Sequence, residues 1–78
     1  MTRQEFIEEC CVALQVESGS LNEESSPDDV EMWDSMGWLS LIAMIDEKLG
    51  VTLDTDDLKN VKKLGDFIGM FEEQGLIT

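Results

Sequence analysis

The sequence predicts an all-α fold, a small four-helix bundle of three longer helices and one short third helix. Apolar residues recur at three- and four-residue spacing in three segments, each followed by a glycine, and the first two are preceded by a capping residue. No segment shows the polar–apolar alternation of a half-buried strand. The 78 residues suffice for a single domain, 1–78. A chain of this length buries only about 60% of its unfolded surface, which requires a simple core.

The first helix opens with capping-box spacing between Thr2 and Glu5. Phe6, Ile7, Cys10, Val12 or Ala13, and Leu14 then follow as its apolar face, and Ser18-Gly19 is the expected stop. The stretch from Glu17 to Asp29 is rich in Glu, Ser, Asn and Asp and holds the only proline, Pro27. It reads as a long solvated loop, with Leu21 and Val30 as its anchors in the core.

The second helix is expected from about Ser35 to Leu49, with Asp34 as N-cap and Gly50 as stop. Val51, Thr52 and Leu53 lead into a short third helix near Thr55 to Asn60, begun by Asp54 or Thr55. The last helix, about Lys63 to Gln74, carries Leu64, Phe67, Ile68 and Phe71 on one face and ends at Gly75. Gly65 and Gly69 lie inside it, each costing about 1 kcal/mol against Ala. Close helix approach, room for a chain, or a merely pliable helix would each account for them.

At ~100° per residue, the second helix separates into two apolar sectors. Trp38, Leu41, Ile42, Ile45 and Leu49 form the expected core stripe; Met36, Leu39 and Ala43 form a second sector well away from it. Ser40, Asp46 and Glu47 border this second sector. Either the long loop folds over it, or it stays open as an acid-rimmed docking strip for another protein. Ser35 falls at the helix N-terminus, near the border of the two sectors. Free backbone N–H groups and the positive end of the helix dipole make that place hospitable to phosphate, although most serines there are simple first-turn residues.

Charge and inventory narrow the function classes. Eighteen acids face five bases, a formal charge of −13, and the stretch from Gln4 to Glu47 holds twelve acids and no base. Such a surface repels nucleic acid and anionic lipid, attracts proteins with basic patches, and lowers stability at low salt through self-repulsion. Lys59, Lys62 and Lys63 read as a solvated cluster that eases local repulsion. With no His, no Tyr and nothing basic beside its serine cluster, the chain has no catalytic set and no metal site is expected. A calcium loop from Asp54 is rejected because Leu58 and Lys59 stand where an oxygen ligand and a glycine are needed. Cys10 and Cys11 are adjacent, which favours free thiols packed as small apolar residues in a reducing compartment. Neither a secretory signal nor a membrane span is recognisable, so the cytoplasm is the expected location and a monomer the expected state.

The run Trp33-Asp34-Ser35-Met36-Gly37-Trp38-Leu39-Ser40-Leu41-Ile42-Ala43-Met44-Ile45-Asp46-Glu47-Lys48-Leu49-Gly50-Val51 resembles the signature of the acyl carrier protein family. In that family an Asp-Ser-Leu-like motif opens the second helix and an acidic pair precedes its apolar–Gly end. Helix order, length and acidity extend the resemblance over nearly the whole chain. It implies an acyl carrier: a 4′-phosphopantetheine arm esterified to Ser35 by a phosphopantetheinyl transferase, with acyl or related groups carried on its thiol as thioesters. It further implies that Asp34 assists modification and that Met36, Leu39, Ala43, Asp46 and Glu47 meet acyl-transferring, synthase or ligase enzymes with basic patches.

Departures from the family pattern shape finer expectations. Met36 replaces the usual Leu, Ser40 stands where many fatty-acid carriers have an acid, and Trp33 gives the motif a form associated with specialised-pathway carriers. Lys63 is a poor N-cap where the family often has Thr or Ser. Trp38 lies near where the family admits an acyl chain between helices, as either an ordinary core aromatic or a plug at that cavity entrance. An unmodified carrier-like adaptor, docking to an enzyme as a regulator, is the alternative function.

Overall fold

The structure, a computed structural model, describes residues 1–78. It contains four helices and no strand: α1 (Arg3–Leu14), α2 (Ser35–Leu49), α3 (Thr55–Lys59) and α4 (Leu64–Glu73). The capping box forms as expected, the Glu5 amide donating to Thr2 Oγ1 at 3.1 Å and the Thr2 amide to Glu5 Oε1 at 2.9 Å. Those backbone and hydroxyl contacts hold the Glu5 carboxyl below the usual carboxylate range. Its contribution is therefore full above that range and is lost as pH falls through the lowered value.

α1 ends earlier than the sequence suggests. Gln15, at φ 59°, makes the left-handed turn that closes the helix, and Gly19, also at positive φ, lies four residues beyond it; the Val16 amide closes back on the Cys11 carbonyl at 3.0 Å. The αL closure satisfies orphan carbonyls without glycine. The buried face of α1 is Phe6, Cys10, Cys11 and Leu14, whereas Val12 is 73% exposed. α1 packs against α2 and against α4. Phe6 meets Phe67 and Phe71 edge-on, at 6.2 and 5.8 Å between ring centroids, an arrangement that suits the ring quadrupoles.

On α2 the core stripe is rotated toward α1 relative to the expected one. Leu41, Met44 and Ile45 are buried, and Trp38, Ile42 and Leu49 are only partly so. Met44 was outside the expected stripe; the approach of α1 from that side buries it. α3 starts at Asp54, whose carboxylate accepts from the Asp57 amide while Asp57 accepts from the Asp54 amide. The α4 stripe is Leu64, Phe67, Ile68 and Phe71, as expected.

The long connection before α2 does more than the solvated loop expected of it. Leu21 and Ser25 are buried, and the Ser25 hydroxyl accepts from the Asn22 amide at 2.9 Å. Its carbonyls cap α4: the Leu64 amide donates to Ser25 O at 3.0 Å and the Gly65 amide to Glu23 O at 2.8 Å. A lysine ammonium has no acceptor to offer, so these carbonyls, with Asp66 Oδ2 accepting from the Lys62 and Lys63 amides, replace the missing side-chain cap at Lys63. Gly65 is explained by the same contact, since a Cβ there would stand 3.0 Å from the Glu23 carbonyl oxygen. No such contact exists at Gly69. Two of the three lysines expected as a solvated cluster form surface pairs, Lys63 with Glu24 at 3.3 Å and Lys59 with Asp56 at 3.7 Å, contacts that add little stability.

At the other end of the loop, the Met32 carbonyl lies against Gly37 in the first turn of α2. A Cβ at Gly37 would overlap that oxygen and come within 2.9 Å of Leu14 Cδ2. Two glycine substitutions therefore have opposite expected signs in thermal and denaturant melts. Gly37→Ala loses about 1–3 kcal/mol through overpacking; Gly69→Ala gains up to about 1 kcal/mol in helix propensity. Equal stability of Gly37→Ala and the parent would contradict the close approach. The thiols give a second check. Burial, with Cys11 and Glu9 nearby, pushes the Cys10 thiol far up, and Cys11 is 2% exposed. Iodoacetamide at neutral pH should leave both unmodified in the folded protein and alkylate both in denaturant; rapid labelling of the folded chain would contradict their burial.

Candidate functional site

The site is built by a turn and a helix tip. Trp33 is drawn into the core, 2% exposed, and its amide donates to the Val30 carbonyl at 3.0 Å. This fixes the chain direction immediately before α2. Asp34 follows as N-cap, its Oδ1 accepting from the Gly37 amide at 3.0 Å and its carbonyl from the Trp38 amide at 2.9 Å. Ser35 is then the first residue of the helix and is exposed. The Ser35 and Met36 amides make no intramolecular hydrogen bond, so a helix tip with two free donors faces solvent beside the Ser35 hydroxyl.

The second apolar sector of α2 is not covered by the loop. Met36 is 71% and Leu39 62% exposed, and Ala43, Asp46 and Glu47 are exposed with them. Ser40 is exposed on the side facing α1, where it helps line a groove of about 320 Å³ that also touches Ala13, Met32, Asp34, Met36 and Gly37. Apolar side chains at the serine end of the helix and acids toward its far end give this face the composition of a protein-docking strip.

Trp38 faces inward and is partly exposed. Its ring stands edge-on to Trp33 at 5.1 Å and to Phe67 of α4 at 6.1 Å. The three rings close the bundle one turn below Ser35. Within this layer the Trp33 indole Nε1 is buried without an acceptor, a deficit costing about 1–3 kcal/mol.

Two parts of the site are not among the residues the sequence singles out. Gly37 carries a weak signal, since a glycine in the third position of a helix has a propensity cost that points to a close contact. Met32, whose carbonyl makes that contact, carries no sequence signal at all.

This geometry presents a hydroxyl to another enzyme without activating it: the chain has no His, and the neighbouring Asp34 carboxylate is turned to the Gly37 amide. It suits a phosphodiester, since the hydroxyl is accessible and the free amides favour anionic oxygen. The helices match those of a solved protein described as the holo acyl carrier protein from Geobacter metallireducens, determined by solution NMR. The TM-score is 0.79 over 94% of this chain and 85% of that one, at 20% sequence identity, which establishes a shared fold. No curated protein matches the sequence significantly. The family described as "Phosphopantetheine attachment site" matches residues 4–71. Members of such a family work with synthase and transferase enzymes. No helix here is long and apolar enough to cross a membrane. The chain therefore belongs to the phosphopantetheine attachment-site family and is a carrier protein, bearing its cargo on a 4′-phosphopantetheine group and leaving catalysis to its partners.

Proposed function

We propose that Ser35 is the attachment residue and that residues 1–78 act as one carrier unit. The observation that carries this reading is an exposed serine at the first position of α2, on a tip fixed by Asp34 and left with free amides. In modification, the Ser35 hydroxyl displaces 3′,5′-adenosine diphosphate from coenzyme A and forms a phosphodiester, its proton passing to a base of the phosphopantetheinyl transferase. Asp34 orients the helix tip through Gly37 and offers a carboxylate to the transferase or its metal ion. The arm, when attached, supplies a thiol that holds acyl groups as thioesters. The protein supplies presentation, and tethering raises the local concentration of cargo at each docked enzyme.

Met36, Leu39 and Ala43 are the apolar contacts in this reading, with Asp46 and Glu47 as steering charges. They fit acyl-transferring, synthase or ligase enzymes that carry basic patches. Ser40 in place of an acid favours a partner set distinct from that of housekeeping fatty-acid carriers, as in specialised pathways. The free, buried thiols fit a cytoplasmic setting.

Incubating apo protein with coenzyme A and a broad-specificity transferase is expected to add the mass of one phosphopantetheine. Ser35→Ala abolishes the gain, and Ser40→Ala keeps it. Absence of any gain with several transferases would favour the unmodified adaptor instead. At Trp38, the aromatic layer bars a plain alkyl chain from the bundle, so octanoyl and acetyl thioesters hydrolyse at similar rates in the parent. Trp38→Ala opens the layer, and octanoyl becomes the slower of the two, each newly buried methylene being worth about 0.8 kcal/mol. Equal chain-length effects in parent and variant would remove Trp38 from that role.

A further inference from the structure

The interior side chains leave one polar atom without a partner, Nε1 of Trp33. The residue is 2% exposed, lies two positions before Ser35, and packs edge-on against Trp38 at 5.1 Å. Trp38 itself reaches solvent in part and touches Phe67 of α4 at 6.1 Å. The ring that carries the buried donor is thus packed against a side chain that sits one turn along the helix from Ser35 and is partly open to water. Neither ring is pinned by a polar contact: neither indole makes a side-chain hydrogen bond to the protein, so Trp38 can turn aside without breaking one.

We infer that the Trp33 N–H is a binding group for cargo, and that it selects acyl chains bearing an oxygen acceptor near the thioester, such as 3-oxoacyl chains, over plain alkyl chains. A carbonyl reaching past Trp38 completes a bond that the empty protein leaves unmade, in surroundings where water does not compete. An alkyl chain entering the same layer disturbs the ring packing and leaves the donor as it was. The selection follows from an unmet donor rather than from the width of a cavity. The inference rests on Ser35 as the attachment point, and the experiment separates the two.

The chain has two tryptophans, so ¹⁵N-labelled protein gives two indole N–H resonances, told apart with Trp38→Phe. Transferase loading with octanoyl- and 3-oxooctanoyl-coenzyme A is verified by intact mass before spectra are recorded. The Trp33 indole proton is expected to move downfield in the 3-oxooctanoyl form and to stay at its unloaded position in the octanoyl form. In Trp33→Phe, the 3-oxooctanoyl thioester is expected to hydrolyse about fivefold faster than in the parent, with the octanoyl thioester unchanged. If that variant fails to fold, the comparison of the two loaded parent forms decides. A Trp33 resonance that is the same in both loaded forms, moved or unmoved, overturns the inference and leaves Ser35 standing. Failure to load at Ser35 overturns both.

Discussion

The arrangement depends on one backbone-to-backbone contact, the Met32 carbonyl lying against Gly37 where any Cβ would collide with it. Helices pack through side chains and normally keep main chains apart; here the loop approaches closely because the helix has no side chain at that position. Once Met32 is held there, Trp33 points into the core, Asp34 falls at the N-cap and Ser35 becomes the first exposed helical residue. The hydroxyl's position is therefore set by steric exclusion and a helix cap, with no contribution from catalytic-style hydrogen bonding. That suits a residue modified by another enzyme, which must be reachable and fixed but need not be reactive on its own.

The loop applies the same device twice. Its Ser25 and Glu23 carbonyls cap α4 across Gly65, while at its far end the Met32 carbonyl lies against Gly37, close to Leu14 of α1. A long connection in a chain this small would otherwise expose α4's orphan amides and leave the core open above Leu14 and Leu64. Because the loop binds at both ends, the outer face of α2 stays free of it. The exposed Met36 and Leu39 and the acids beyond them are the surface left over when the bundle is complete, which is the surface a partner can use without disturbing the fold.

Much of this was legible in the residues. The Thr2–Glu5 box, the Asp34 and Asp54 caps, and the Leu64, Phe67, Ile68 and Phe71 stripe are local patterns with local causes, and each appears where its pattern predicts. The second apolar sector on α2 follows from counting residues around a wheel, whereas its openness does not, since the wheel leaves the loop free to cover it. What escaped were features decided by distant neighbours. Met44 is buried because α1 approaches from its side, and α1 in turn buries Cys11 and leaves Val12 exposed. Gln15 closes α1 without a glycine because its αL geometry satisfies the Cys11 carbonyl through Val16. Lys63 looked like a defective cap because its true partners lie some forty residues earlier in the chain. Gly37 leaves a trace in the sequence, as a helix breaker in a first turn, and Met32 leaves none.

The most direct test of the central claim is native-state hydrogen exchange at the Gly37 amide, which donates to Asp34 Oδ1 beneath the Met32 carbonyl. If the loop clamps the tip of α2, this amide exchanges within about tenfold of the Leu41 amide in the helix interior, although it lies in the first turn, where amides ordinarily fray. Exchange as fast as that of an unstructured peptide would mean that the tip and the serine it carries are not held.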